Sequence, residues 1–172
     1  DNDPATFGTT TGGIYQVSVT PPFATRLFMD LNTYPGLATG PIPHTASGPT
    51  SPTSCTQPAG YRPPGAPYSC WEYDTITYDA VGTTGLGDLD ISEDDLAIWV
   101  VNLTTRQLLE IPIGLTPTAP PAAAISRYPL TTLPDLVSGP NACPSANDLR
   151  PFGLGLRDFR VYVGLVCSAE ST

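Results

Sequence analysis

The sequence predicts an all-β fold built from antiparallel hairpins. Three observations carry this expectation. The 172 residues include 21 Pro and 16 Gly, which interrupt helices and mark turns. Short runs alternate apolar and polar residues between those turns, the period of a strand. Two of these runs, at 85–103 and 150–168, resemble one another.

The elements follow in chain order. Residues 1–13 are polar and rich in Gly and Thr and read as a ragged start. In "GGIYQVSV" (12–19), Ile14, Gln16 and Ser18 share one face and Tyr15, Val17 and Val19 the other, so a strand is expected. "ATRLFMDLN" (24–32) reads as a second strand, after the break at Pro21-Pro22. Residues 35–70 hold nine Pro and no sustained period, and 35–84 reads as an extended insertion. "GLGDLDIS" (85–92) is a strand, "EDDL" a turn, "AIWVVNL" (97–103) a strand and "LLEIPIG" (108–114) another. "DLAIWVVNL" mimics a helix, but Trp, Val and Ile favour a strand. Residues 115–148 read as a second Pro-rich loop. "RPFGLGLR" (150–157) and "RVYVGLVCS" (160–168) form a last hairpin around "DF".

Within these units, Ile91 and Leu156 correspond at an offset of 65 residues. "IYQVSV" also resembles "LLEIPIG", as the third strand of an earlier unit. Repeated antiparallel hairpins of this pitch are what β-propeller blades look like in sequence. "GDLDISEDDLAIWVVNLTTRQLLEIPI" resembles the YVTN- and NHL-type blade, with Trp99-Val100-Val101-Asn102 where that signature stands and Asp94-Asp95 where Asp-Gly is usual. "LRPFGLGLRDFRVYVGLVCSAE" resembles the inner strands of a next blade. The pair is similar to the propeller region of large secreted bacterial surface proteins, many of which continue into SdrD-type B modules. The resemblance implies an incomplete propeller: 12–34 ends one blade, 85–114 forms another and 149–172 starts a third. That is about two and a half blades, whereas a closed propeller needs at least about four. A small β-sandwich is the alternative fold.

Composition narrows the function. Hydrophobic residues make up 40% of the chain, enough for a packed core. A net charge of −9, from 16 acidic and 7 basic side chains, argues against nucleic acid and anionic membrane as partners. No run approaches the ~18 apolar residues of a membrane helix. The chain starts without Met or a charged-then-apolar leader, and reads as a mature product or an excised fragment. Four Cys in such a chain point to export and disulfides. Proximity favours Cys55–Cys70 and Cys143–Cys167. With His44 the only His and no CxxC pair, a zinc site is not expected.

One cluster could do chemistry. On a strand, Asp88, Asp90 and Ser92 share a face, and Glu93, Asp94 and Asp95 follow at the turn. Asp88, Asp90, Asp94 and Asp95 are therefore candidate calcium ligands. An EF-hand reading fails, because its sixth position would be Glu93 instead of Gly and its twelfth Trp99 instead of Glu. The preferred reading is structural: Asp94 and Asp95 serve a turn, and Asp88 and Asp90 bond main-chain N–H groups. Paired carboxylates would also suit a hydrolase or lyase. A Ser-His-Asp site would have to use His44, which lacks a Gly-x-Ser-x-Gly partner. Asn102-Leu103-Thr104 fits a glycosylation sequon at a predicted strand end, and the preferred reading is that it is unmodified. Trp71 and Tyr73 are candidate contacts for a ligand or partner, or else cap a blade edge. The expected role is a non-enzymatic extracellular or cell-surface scaffold or adhesion module. It would meet protein or carbohydrate, or further copies of itself as a structural subunit. No cofactor other than calcium is expected.

Overall fold

A computed structural model describes residues 11–40, 82–140 and 142–171. Among the described residues, eight strands form three antiparallel sheets. β1 (Gly13–Val17) and β2 (Thr25–Asp30) make a hairpin. β3 (Leu86–Ile91), β4 (Ala97–Asn102), β5 (Gln107–Pro112) and β6 (Ser126–Pro129) make a four-stranded meander in sequence order. β7 (Leu149–Arg157) and β8 (Arg160–Cys167) make a second hairpin. The described helical structure is short: 3₁₀ turns and one four-residue helix, α1 (Pro134–Val137). The all-β expectation holds at this level, as open sheets.

The meander lies between the two hairpins. Ile98 and Val100 of β4 and Leu109 and Ile111 of β5 pack on Ile14, Met29, Leu31 and Leu37. On the opposite face Trp99, Val101, Leu103 and Leu108 meet Leu154, Val161, Val163 and Leu165. β4 is thus covered on both faces, which is why its sequence is a continuous apolar run and not an alternating one. β8 is covered on one face only and alternates accordingly, with Val161, Val163 and Leu165 inward and Tyr162 exposed.

The three hairpins share one closing hydrogen bond. Leu31 N donates to Gly12 O (2.9 Å), Leu103 N to Gly85 O (3.1 Å) and Ser168 N to Asp148 O (2.9 Å). β1 therefore stands where β3 and β7 stand, not where β5 stands. By this bond the first hairpin aligns with β3–β4 and β7–β8, so the likeness of "IYQVSV" to "LLEIPIG" is one of composition and not of position. The Pro-rich stretch 115–148 is also more than a loop, since it contributes β6, paired to β5 from Gln107↔Pro129 to Glu110↔Ser126.

Turn chemistry fixes the register. Asp158 and Phe159 both take positive φ (52° and 57°), the two-residue turn whose twist matches its strands. Between β3 and β4 the Asp94 carboxylate accepts Ser92 Oγ (2.6 Å) and Leu96 N (3.1 Å), while Asp95 sits at φ 60°. Both residues are turn residues, as their types suggested. The Cys143–Cys167 disulfide is formed and ties the loop before β7 to the end of β8. Cys55 and Cys70 lie outside the described residues.

Candidate functional site

The acidic cluster forms a ladder along one edge of β3. Each aspartate bridges two strands. Asp88 Oδ1 accepts its neighbour Leu89 N (2.9 Å), and Oδ2 accepts Leu154 N of β7 (3.1 Å). Asp90 repeats this two residues on, with Ile91 N (2.9 Å) and Leu156 N (3.1 Å). Glu93 then grips the β7–β8 turn, Oε1 accepting Asp158 N (2.7 Å) and Oε2 Phe159 N (3.1 Å). The period of two that places Asp88 and Asp90 on one face matches the period of two of outward N–H groups on β7. The carboxylates thus act as a substitute strand between two edges.

This arrangement bears on each chemical reading of the cluster. All four oxygens of Asp88 and Asp90 already accept a main-chain N–H. Asp94 faces its own turn, where the Ser92 hydroxyl and then the Leu96 N–H hold its carboxyl below the ordinary aspartate value. The four aspartates are therefore parted between two jobs, the ladder and the turn. Among the described residues no three or more His, Cys, Asp or Glu side chains converge as a metal-binding group. Trp71, Tyr73 and His44 lie outside the described residues.

Asn102 is fully buried and is no surface acceptor. Its Nδ2 donates to Leu37 O (2.9 Å), and its Oδ1 accepts Thr105 N (3.1 Å). It closes the β4–β5 turn and pins the segment after β2 against the meander. Neither end of this sequon amide reaches solvent. No model of a protein family, curated protein or solved structure matches the chain.

Two features escaped the sequence reading. Asp148 is buried and accepts Ser171 N (3.1 Å) and Ser171 Oγ (2.7 Å), securing the chain after β8. A cleft of about 500 Å³ opens between β1 and β3, lined by Ile14, Val17, Phe28, Leu89, Ile91 and Ile113 among others. β3 turns its carboxylates toward β7, and its Leu89 and Ile91 line this cleft. No carboxylate ladder spans it, because β1 carries Tyr15, Gln16 and Val17 along its length instead of acids.

Proposed function

We propose that the chain is a non-enzymatic extracellular scaffold or adhesion module of β-propeller type, presenting Pro-rich loops to protein or carbohydrate at a cell surface. The observation that carries the reading is the ladder. The acidic cluster of β3 and its turn holds β3 to the β7–β8 hairpin through main-chain N–H groups, which supports an architectural role for it. The propeller part of the reading draws support from three hairpins with equivalent closing bonds, the first and last packed on opposite faces of the meander that contains the other. The extracellular part draws support from the Cys143–Cys167 bridge, which persists in oxidising compartments.

The test sets scaffold against hydrolase. The wild type and the Asp88→Asn/Asp90→Asn variant are incubated with polysaccharides and denatured protein, and released reducing ends and peptides are measured beside the melting temperature. A scaffold releases nothing, and the variant melts lower. Turnover by the wild type that the variant loses at an unchanged melting temperature would replace this reading with catalysis by Asp88 and Asp90.

A further inference from the structure

Among the described residues, no strand pairs with the outer edge of β8. Leu154 and Leu156 of β7 send their N–H groups to Asp88 and Asp90, respectively, and away from β8. In antiparallel register they lie opposite Val163 and Val161. These are non-hydrogen-bonded pairs, so the main-chain groups of Val161, Val163 and, by alternation, Leu165 also point away from β7. β8 pairs with β7 alone among the described strands. Its counterpart by the shared closing bond, β4, has β5 paired along its outer edge from Ala97↔Pro112 to Asn102↔Gln107.

Beneath the outer edge of β8 lies a shelf. The ladder sets β7 over β3, which sets β8 over β4. β5 and β6 therefore extend beyond the edge of β8 by about two strand widths, roughly 10 Å. One end of the shelf is roofed by the segment that carries Leu130, Leu136 and Cys143. The other end bears the stacked rings of Trp99 and Tyr128 (centroids 5.7 Å apart), with Tyr128 44% exposed. A single strand fits between this shelf and solvent. A folded second copy does not. Symmetric pairing of two β8 edges would drive the partner's meander into the space that β5 and β6 hold.

We infer that β8 takes up an extended segment of another polypeptide as an added strand. The segment runs antiparallel to β8 with apolar residues at alternate positions, as Leu109 and Ile111 are placed in β5, and these rest on Trp99 and Tyr128. The inference goes beyond the scaffold reading and does not depend on it. Main-chain hydrogen bonds to Val161, Val163 and Leu165 give affinity, and the aromatic shelf selects the side chains.

The probe is a synthetic peptide of residues 103–114, added to the full chain at low protein concentration. The expected result is saturable binding, with amide exchange at Val161, Val163 and Leu165 slowed by about tenfold or more. Val163→Pro removes an outward N–H from an edge strand, where proline is tolerated, and should weaken binding about tenfold or more. A peptide N-methylated at alternate residues gives the same loss without altering the protein, should the proline variant not fold. Three outcomes overturn the inference: no slowing of those amides at about 1 mM peptide, binding indifferent to both changes, or amides already protected without peptide. In the last case, dependence of that protection on protein concentration would identify the occupant as a second copy, and independence would identify a segment of this chain.

Discussion

Removing the aspartate ladder gives a graded test of what holds the last hairpin. Asp88→Ala/Asp90→Ala deletes four N–H to carboxylate bonds, two within the edge of β3 and two to β7. Charge-assisted bonds contribute about 1.5–3 kcal/mol each when sheltered, and neutral or solvated ones about 0.5–1. Asp88 is exposed and Asp90 half-buried, so the lower value applies to each bond. Four bonds give about 2–4 kcal/mol, and the double variant should melt roughly 5–15 °C lower for a chain of this size. Asp88→Asn/Asp90→Asn keeps one acceptor oxygen per residue and should lose about half as much. The assay is thermal unfolding at neutral pH with amide exchange as its local readout. Leu154 and Leu156 should exchange faster in both variants, while Leu109 in the meander changes only as global stability does. A double alanine variant that melts within about 1 °C of wild type, with Leu154 and Leu156 unchanged, would refute the ladder as the tie.

Three further outcomes follow from single sites. Asn102→Asp sets a carboxylate against Leu37 O inside the core, and a loss of about 3–5 kcal/mol in denaturant unfolding is expected from the uncompensated charge. Cys143→Ser/Cys167→Ser opens a bridge spanning a separation of 24 residues, and should cost about 3 kcal/mol in the same assay. Tyr128 donates to Glu110 Oε2 (2.9 Å), and this bond, with burial and the carboxylate charge, raises its phenol above the ordinary value of 10.0. A raised folded value means that its stabilisation is complete below the unfolded value and fades as pH rises through the folded one. Melting curves above pH 10.0 should therefore flatten in Glu110→Gln relative to wild type, and parallel curves would remove the bond from the account.

The strands were legible because each obeys a local rule. "RLFMDL" is extended and ends at a turn, "GDLDIS" alternates, and "AIWVVNL" is apolar throughout because two layers cover it. β6 was not legible. All four residues of "SRYP" are exposed, and the strand exists because β5 offers it an edge. The hairpin that opens at Gly13 was misaligned because its defining feature, the bond from Leu31 N to Gly12 O, joins residues without a side-chain signature. At the site, sequence placed Asp88 and Asp90 on one face and suggested main-chain N–H partners, but their donors lie 66 residues away. Glu93 read as a turn residue, because nothing local marks it as gripping Asp158 N and Phe159 N.

The ladder also explains an asymmetry in the stack. An edge strand exposes N–H groups that invite foreign pairing, and charged side chains on the edge are one defence. Asp88 and Asp90 cover the outward N–H groups of Leu89 and Ile91 on β3 with their Oδ1 atoms and those of Leu154 and Leu156 on β7 with their Oδ2 atoms. The device is not repeated on either side. Cys167 matches Asn102 through the closing bonds, so Gly164 matches Trp99, and Gly153, opposite Gly164, takes the place of Asp90. β7 has no carboxylate there to hand on. On the other side β1 has no acid facing β3, and the cleft opens where a ladder would close it. Of the two hairpins, the last is therefore fastened to the meander by apolar packing, a carboxylate ladder and a turn clasp together. The first is tied by apolar packing and by bonds that all involve the segment after β2: Asn102 to Leu37 O, Gly85 N to Thr39 O, Tyr34 Oη to Pro120 O, and Arg127 to Pro35 O and Gly36 O. The difference puts the rigid reference of the molecule in the meander and the β7–β8 hairpin. Any loosening of this fold should begin between β1 and β3, where apolar side chains line a cleft instead of a carboxylate ladder.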